Sequence, residues 1–125
     1  MNAVEESGVR MFQLPERMDS ATALVVQRDL EAVLQPGLQL IVDGSAVTYM
    51  SAAGVRTLAT VLHGAQEQEA QVVFCRFSGS AADCLDVSGF SQLLDVADSI
   101  EAARDRLQSM PADPSKRLHR RGSAG

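Results

Sequence analysis

Ser51 is the side chain of this chain best placed for chemistry, because of what stands on either side of it. An apolar run, Leu40–Val42, ends in Asp43. A polar break, Gly44–Ser45, leads through Thr48, Tyr49 and Met50 to Ser51, and then Ala52, Ala53 and Gly54 open an amphipathic stretch at Val55. This order predicts a buried strand, a loop and a helix whose first turn carries almost no side-chain bulk. A serine at that junction has two uses. As an N-cap its hydroxyl accepts from an otherwise unpaired helix N–H. As a modifiable group it would sit at the end of a helix whose dipole favours an anion such as a phosphate. Arg56, one turn further on, could pair with an acidic group or a phosphate. Two carboxylates flank the arrangement. Asp43 ends the strand and could turn the chain by accepting from nearby backbone donors, and Asp19 is placed to cap an earlier helix.

The pattern offers little to an enzyme. The chain has no G-x-S-x-G elbow, no G-x-x-x-x-G-K phosphate loop, no H-E-x-x-H and no C-x-x-C. A Ser-His-Asp or Cys-His site would have to recruit His63, about twelve residues along the same helix as Ser51 and hence ~18 Å away at 1.5 Å per residue. His63 instead suits the C-terminal end of that helix, where a cation is favoured. Cys75 and Cys84 stand nine positions apart with no second pair beside them, so neither a zinc site nor a disulfide framework is indicated. No cofactor and no metal are expected.

The elements that must position these residues follow from periodicity. Residues 9–14, VRMFQL, read as a strand paired with a short edge segment around Ala3–Glu5. Asp19 or Ser20 caps a first helix with Val26, Leu30, Val33 and Leu34 on one face, stopped by Pro36–Gly37. Leu38–Asp43 and Gln71–Phe77 are apolar on both faces, as central strands covered by helices require. Between them lies a helix of about residues 52–66, with Val55, Leu58, Ala59 and Leu62 inward and Arg56, Thr57 and Thr60 outward. Ser80, with Asp83 three residues on, reads as the capping box of a third helix ended by Gly89. Leu93–Val96 is a short strand, and Asp98 with Glu101 opens a last helix packing through Ile100, Ala103 and Leu107. Strand–helix alternation of this kind predicts an α/β fold with parallel pairing and right-handed crossovers for the later strands.

Composition narrows the partner class. The chain has 125 residues, enough for one core without staples. Its net charge is −5. Residues 111–125 carry Lys116, Arg117, Arg120 and Arg121 against Asp113, a local +3, so the remainder carries −8 (−5 less +3). Such an acidic domain is ill suited to grip nucleic acid, which binds through phosphate neutralisation by Lys and Arg; a protein partner suits it better. Residues 1–110 are expected to form the domain. Residues 111–125, rich in Pro, Ser and Arg without periodicity, are expected to be a disordered basic tail. No apolar run approaches the ~20 residues that span a bilayer, and the start, MNAVEESGVR, lacks the apolar stretch of a secretory signal. The expected location is the cytoplasm.

Three segments resemble the STAS domain, the fold of bacterial anti-sigma-factor antagonists and of the cytoplasmic tails of sulfate transporters. LPERMDSATALVVQRDL looks like the family's strand, G-x-L-D and first-helix opening. LIVDGSAVTYMSAAGVRTL looks like its LDLSxVxxxDSSGLxxL core. QVVFCRFSGSAADCLDVSGFSQLLDVADSIEAAR looks like its closing strand, helix, strand and S-x-E-A run. The resemblance extends from about Leu14 to Leu107 and implies a mixed four- to five-stranded sheet with about four helices, largely on one side. It also implies a binding module that docks through Met50, Ser51, Ala52, Ala53, Gly54 and Arg56, helped by Asp19 and the loop Ser78, Gly79, Ser80. The partner implied is an anti-sigma factor that is a serine kinase. The alternative is a STAS subunit of a membrane transporter or ATPase assembly, reaching the membrane only through its partner. Two departures stand out. Pro15 occupies a place where the family commonly has Gly. Counting back from Gly54, the family's phosphorylated position falls on Ala52, which has no hydroxyl, and Ser51 precedes it. The chain is then either permanently competent to bind or regulated through Ser51 itself.

Overall fold

A computed structural model describes residues 3–6, 9–90 and 96–109. Its main sheet has the order β1-β2-β4-β6, made of Ala3–Glu6, Val9–Gln13, Gln39–Asp43 and Gln71–Cys75. β1 runs antiparallel to β2, and β2, β4 and β6 are mutually parallel. Beyond β6 a parallel bridge joins Cys75 to Ala97. A second ribbon pairs β3 (Arg17–Met18) with β5 (Tyr49–Met50), also in parallel. Four helices are described: α1 (Ser20–Val33), α2 (Ala52–Glu67), α3 (Gly79–Ser88) and α4 (Ile100–Ser109).

The strands read as continuous apolar runs because both faces of the sheet are covered. Successive side chains of a strand alternate between faces. Phe12, Val42 and Phe74 lie in register and enter the larger core with Leu30, Leu58, Val61 and Leu85 of α1, α2 and α3. Their neighbours Ile41 and Val73 enter the second core with Ala103 and Leu107 of α4. The described helices thus divide three to one across the sheet.

The small β3–β5 ribbon sets the functional end of the molecule. β3 leads into α1 and β5 into α2, so parallel pairing of Arg17 with Tyr49 and Met18 with Met50 starts both helices side by side. Thr57, expected on the solvent face of α2, is buried instead, because α1 packs on that flank and the Thr57 hydroxyl reaches the Ala23 carbonyl at 3.5 Å. A helix flanked by a second helix as well as a sheet buries a wider stripe than one resting on a sheet alone.

Several local expectations are corrected. The strand expected to run to Phe77 ends at Cys75, because Arg76 takes a left-handed backbone at φ 64 and turns the chain away. Ser78, not Ser80, is the N-cap residue of α3, and it makes no side-chain cap bond. At the start of α4 the cap is Ser99, whose hydroxyl accepts from the Ala102 N–H at 3.0 Å, in place of Asp98 with Glu101. α2 runs one residue past its expected end. Most of the strand expected at Leu93–Val96, and the tail at 111–125, lie outside the described residues.

Candidate functional site

Ser51 caps α2 and does so with both capacities of its hydroxyl. Oγ accepts from the Gly54 N–H at 3.3 Å and donates to the Met18 carbonyl at 2.9 Å. The Ser51 N–H donates to the same carbonyl at 2.9 Å. The helix start is therefore stapled to β3 through one oxygen atom. Gly54 completes the junction: a β-carbon there would stand 2.6 Å from the Met50 sulfur and 2.8 Å from the Met18 carbonyl. Met50 and Gly54 are buried beneath the helix start, so they set its height and angle, while Ala52 stands exposed on top and Ala53 is half-buried.

Asp19 caps the neighbouring helix in a reciprocal box. Its Oδ1 accepts from the N–H groups of Ala21 and Thr22, each at 3.0 Å, and Thr22 Oγ1 accepts from the Asp19 N–H at 3.0 Å. The bond from the Thr22 N–H above all holds the Asp19 carboxyl below its ordinary range. Arg17 lies beside it, with Nε 3.5 Å from Asp19 Oδ2 and its guanidinium 4.5 Å over the Tyr49 ring. Arg17, Tyr49 and Asp19 thus form a polar shoulder next to the α2 start.

On the other flank, α2 and α3 enclose an apolar groove of about 540 Å³, lined among others by Ala52, Val55, Arg56, Cys84, Val87 and Phe90. Val87 is 90% exposed, and Arg56 stands exposed on the rim. The Ser80 hydroxyl, donating to the Thr48 carbonyl at 2.9 Å, draws the Ser78–Ser80 segment toward this end.

Arg76, which is not among the candidates drawn from the sequence, organises the loops beneath. Its Nε donates to Asp43 Oδ1 at 3.1 Å and a terminal nitrogen donates to Oδ2 at 2.6 Å, a bidentate fork. The same nitrogen reaches Ser45 Oγ at 3.2 Å, and Asp43 Oδ1 accepts from the Ser45 N–H at 2.9 Å. Asp43 is 5% exposed. Burial alone would push its carboxyl up, but the bonds from Arg76 and Ser45 and the Arg76 charge together hold it below the usual value of 3.8. Adjacent Cys75 is pushed up to about 11 by burial and by the Asp43 charge. The signal that could have revealed Arg76 was an arginine directly after an apolar strand, one position beyond the residue, Cys75, that pairs in register with the aspartate ending the neighbouring strand.

The remaining candidates separate from this site. His63 is exposed at the far end of α2, 3.4 Å from Glu67. Among the described residues no group of three or more His, Cys, Asp or Glu could hold a metal ion. No described helix is long and apolar enough to cross a membrane.

A mixed sheet with three of the described helices on one face, and a capped helix start reached from the end of its central strand β4 through a small parallel ribbon, defines a class. The STAS domain pattern matches residues 1–103, and the chain belongs to that family. It is 28% identical over 87 residues to a Bordetella bronchiseptica protein named "Putative anti-sigma factor antagonist BtrV", spanning 69% of this chain and 75% of that one. The fold matches an anti-sigma-factor antagonist (STAS) domain protein of Planctomyces limnophilus with a TM-score of 0.74 at 14% identity, covering 86% of this chain and 97% of the other. It also matches the STAS domain of a SulP transporter of Vibrio cholerae, with a TM-score of 0.63 at 17% identity, covering 84% and 85%.

Proposed function

We propose that this protein is an anti-sigma-factor antagonist that binds an anti-sigma factor of the serine-kinase class through the start of α2. The observation that carries the reading is the contrast between Ser51 and Ala52. The Ser51 hydroxyl is turned into the fold, donating to Met18 and accepting from Gly54, while Ala52 presents an exposed methyl beside the apolar groove. A partner backbone can approach such a surface closely. Of the first-turn N–H groups, which have no acceptor within a helix, that of Gly54 is capped by Ser51, and those of Ala52 and Ala53 are left to meet the partner. The likeness to BtrV supports the same role.

A phosphate at this turn would bring ~−1.5 to −2 charges and their hydration into an interface of small neutral groups. With alanine at position 52, the binding-competent state is the resting state, and control lies in the partner or in the amount of antagonist. No catalytic step is assigned to the chain itself. The site works in the cytoplasm, where anti-sigma factors meet their targets.

The test is titration calorimetry of the full chain against the serine-kinase anti-sigma factors of its own organism. One of them should bind the wild type, and Ala52→Arg should abolish that binding with the thermal midpoint unchanged within a few degrees. Binding that survives Ala52→Arg unchanged places the surface elsewhere. A second reading, a STAS subunit of a membrane transporter or ATPase assembly, is favoured by the missing hydroxyl at position 52, since such a subunit needs no modifiable residue. Co-purification with a permease or ATPase, and with no anti-sigma factor, would establish it.

A further inference from the structure

We propose that Arg76 is the positioning residue of this docking surface, its fork on Asp43 fixing the α2 and α3 starts as one unit. The functional meaning rests on the docking reading above; the structural content does not.

Two loops leave the same end of neighbouring strands. Residues 44–51 follow β4 into α2, and residues 76–78 follow β6 into α3. Loops of this kind ordinarily move independently, since each is anchored only at its ends. Here they are tied three times. The Arg76 guanidinium joins Asp43 and Ser45. The Phe77 ring lies on Gly44 so tightly that a β-carbon at position 44 would collide with it. The Ser80 hydroxyl holds the Thr48 carbonyl. Arg76 is the tie that involves the strands themselves, because Asp43 and Cys75 are paired in register and Gly44 N–H donates to the Cys75 carbonyl at 2.9 Å.

The backbone of Arg76 argues that the side chain is the reason for its own conformation. A left-handed φ of 64 favours glycine or asparagine. An arginine there carries a steric cost, and its two bonds to a carboxylate buried at the sheet end offset that cost. The same turn sets the Arg76 N–H on the Ala97 carbonyl at 3.0 Å, so the residue also closes the sheet edge. Lysine would supply a charge without the planar fork. Glycine would relieve the backbone while removing the tie.

These two substitutions make the test. Amide hydrogen exchange is followed by NMR on the isolated full chain, comparing wild type, Arg76→Gly and Arg76→Lys. In Arg76→Gly the Gly44, Ser45 and Val47 amides should exchange at least tenfold faster, with Leu40–Val42 in the centre of β4 within twofold of wild type. Arg76→Lys should fall between. Wild-type rates in the loop amides of both variants overturn the proposal, as does equal acceleration of loop and central β4 amides in both. If Arg76→Gly alone opens the whole sheet, the same contrast in Arg76→Lys decides. For an anti-sigma factor that binds the wild type, Arg76→Gly should weaken binding at least tenfold. Undiminished affinity beside faster loop exchange would refute the positioning role and leave the docking reading standing, while Ala52→Arg tests that reading separately.

Discussion

Gly54 and Met18 are packed so closely that a β-carbon on the glycine would stand 2.8 Å from the Met18 carbonyl oxygen and 2.9 Å from the Met18 Cβ. That carbonyl also receives the Ser51 hydroxyl and the Ser51 N–H. One peptide group of β3 therefore fixes the height of α2 above the ribbon, and the absence of a side chain at position 54 is what permits it. Gly54→Ala, ordinarily favourable in a helix, should here destabilise the protein by about 1–3 kcal/mol through overpacking. Urea unfolding checks this, and an unchanged or higher midpoint would show that the ribbon can yield.

The hydroxyl geometry at the helix start makes a prediction about modification. Phosphorylating Ser51 requires breaking its bonds to Met18 and Gly54 together, whereas position 52 is exposed. Incubation with a cognate kinase and ATP should leave the wild type unmodified, and Ala52→Ser should accept phosphate. Phosphopeptide mapping reads the outcome. Stoichiometric phosphate on wild-type Ser51 would show a switch displaced by one residue.

Acid should weaken the fold through Asp43. Its carboxyl is held below 3.8 in the folded chain, so at falling pH the unfolded chain takes up the proton first. Stability is then fully present above the unfolded value and is lost as pH drops through the folded one. Thermal midpoints at pH 6 and pH 3.5 should show a clear fall for the wild type. Asp43→Asn should begin lower, with Arg76 deprived of its carboxylate, and lose less between the two. A parallel decline in both proteins would assign the acid sensitivity to other carboxylates.

The two thiols should behave differently. Cys75 is fully buried and pushed up to about 11, so it offers neither access nor thiolate. Cys84 is half-buried and lines the groove. Alkylation of the native protein should modify Cys84 alone, with Cys75 reacting only after unfolding, as peptide mass mapping would reveal. Occupation of the groove by a partner should protect Cys84.

Much of this molecule was legible in its one-dimensional pattern. The two-faced apolar strands, the capping roles of Asp19 and Ser51 and the stop at Gly89 are local matters, decided by alternation, by hydrogen-bond capacity within one turn and by backbone freedom. So was the position of the small-residue helix start, and the family pattern followed from the order of those pieces. What tertiary structure alone decided involves residues some thirty positions apart. Thr57 is buried because α1 lies across its flank, and Ser80 bonds Thr48 instead of capping its own helix. Arg76 ends its strand early to reach Asp43, thirty-three positions back. Sequence fixes a residue's bonding capacity, whereas which distant partner satisfies it depends on strand register and helix placement, and these exist only once the sheet has formed.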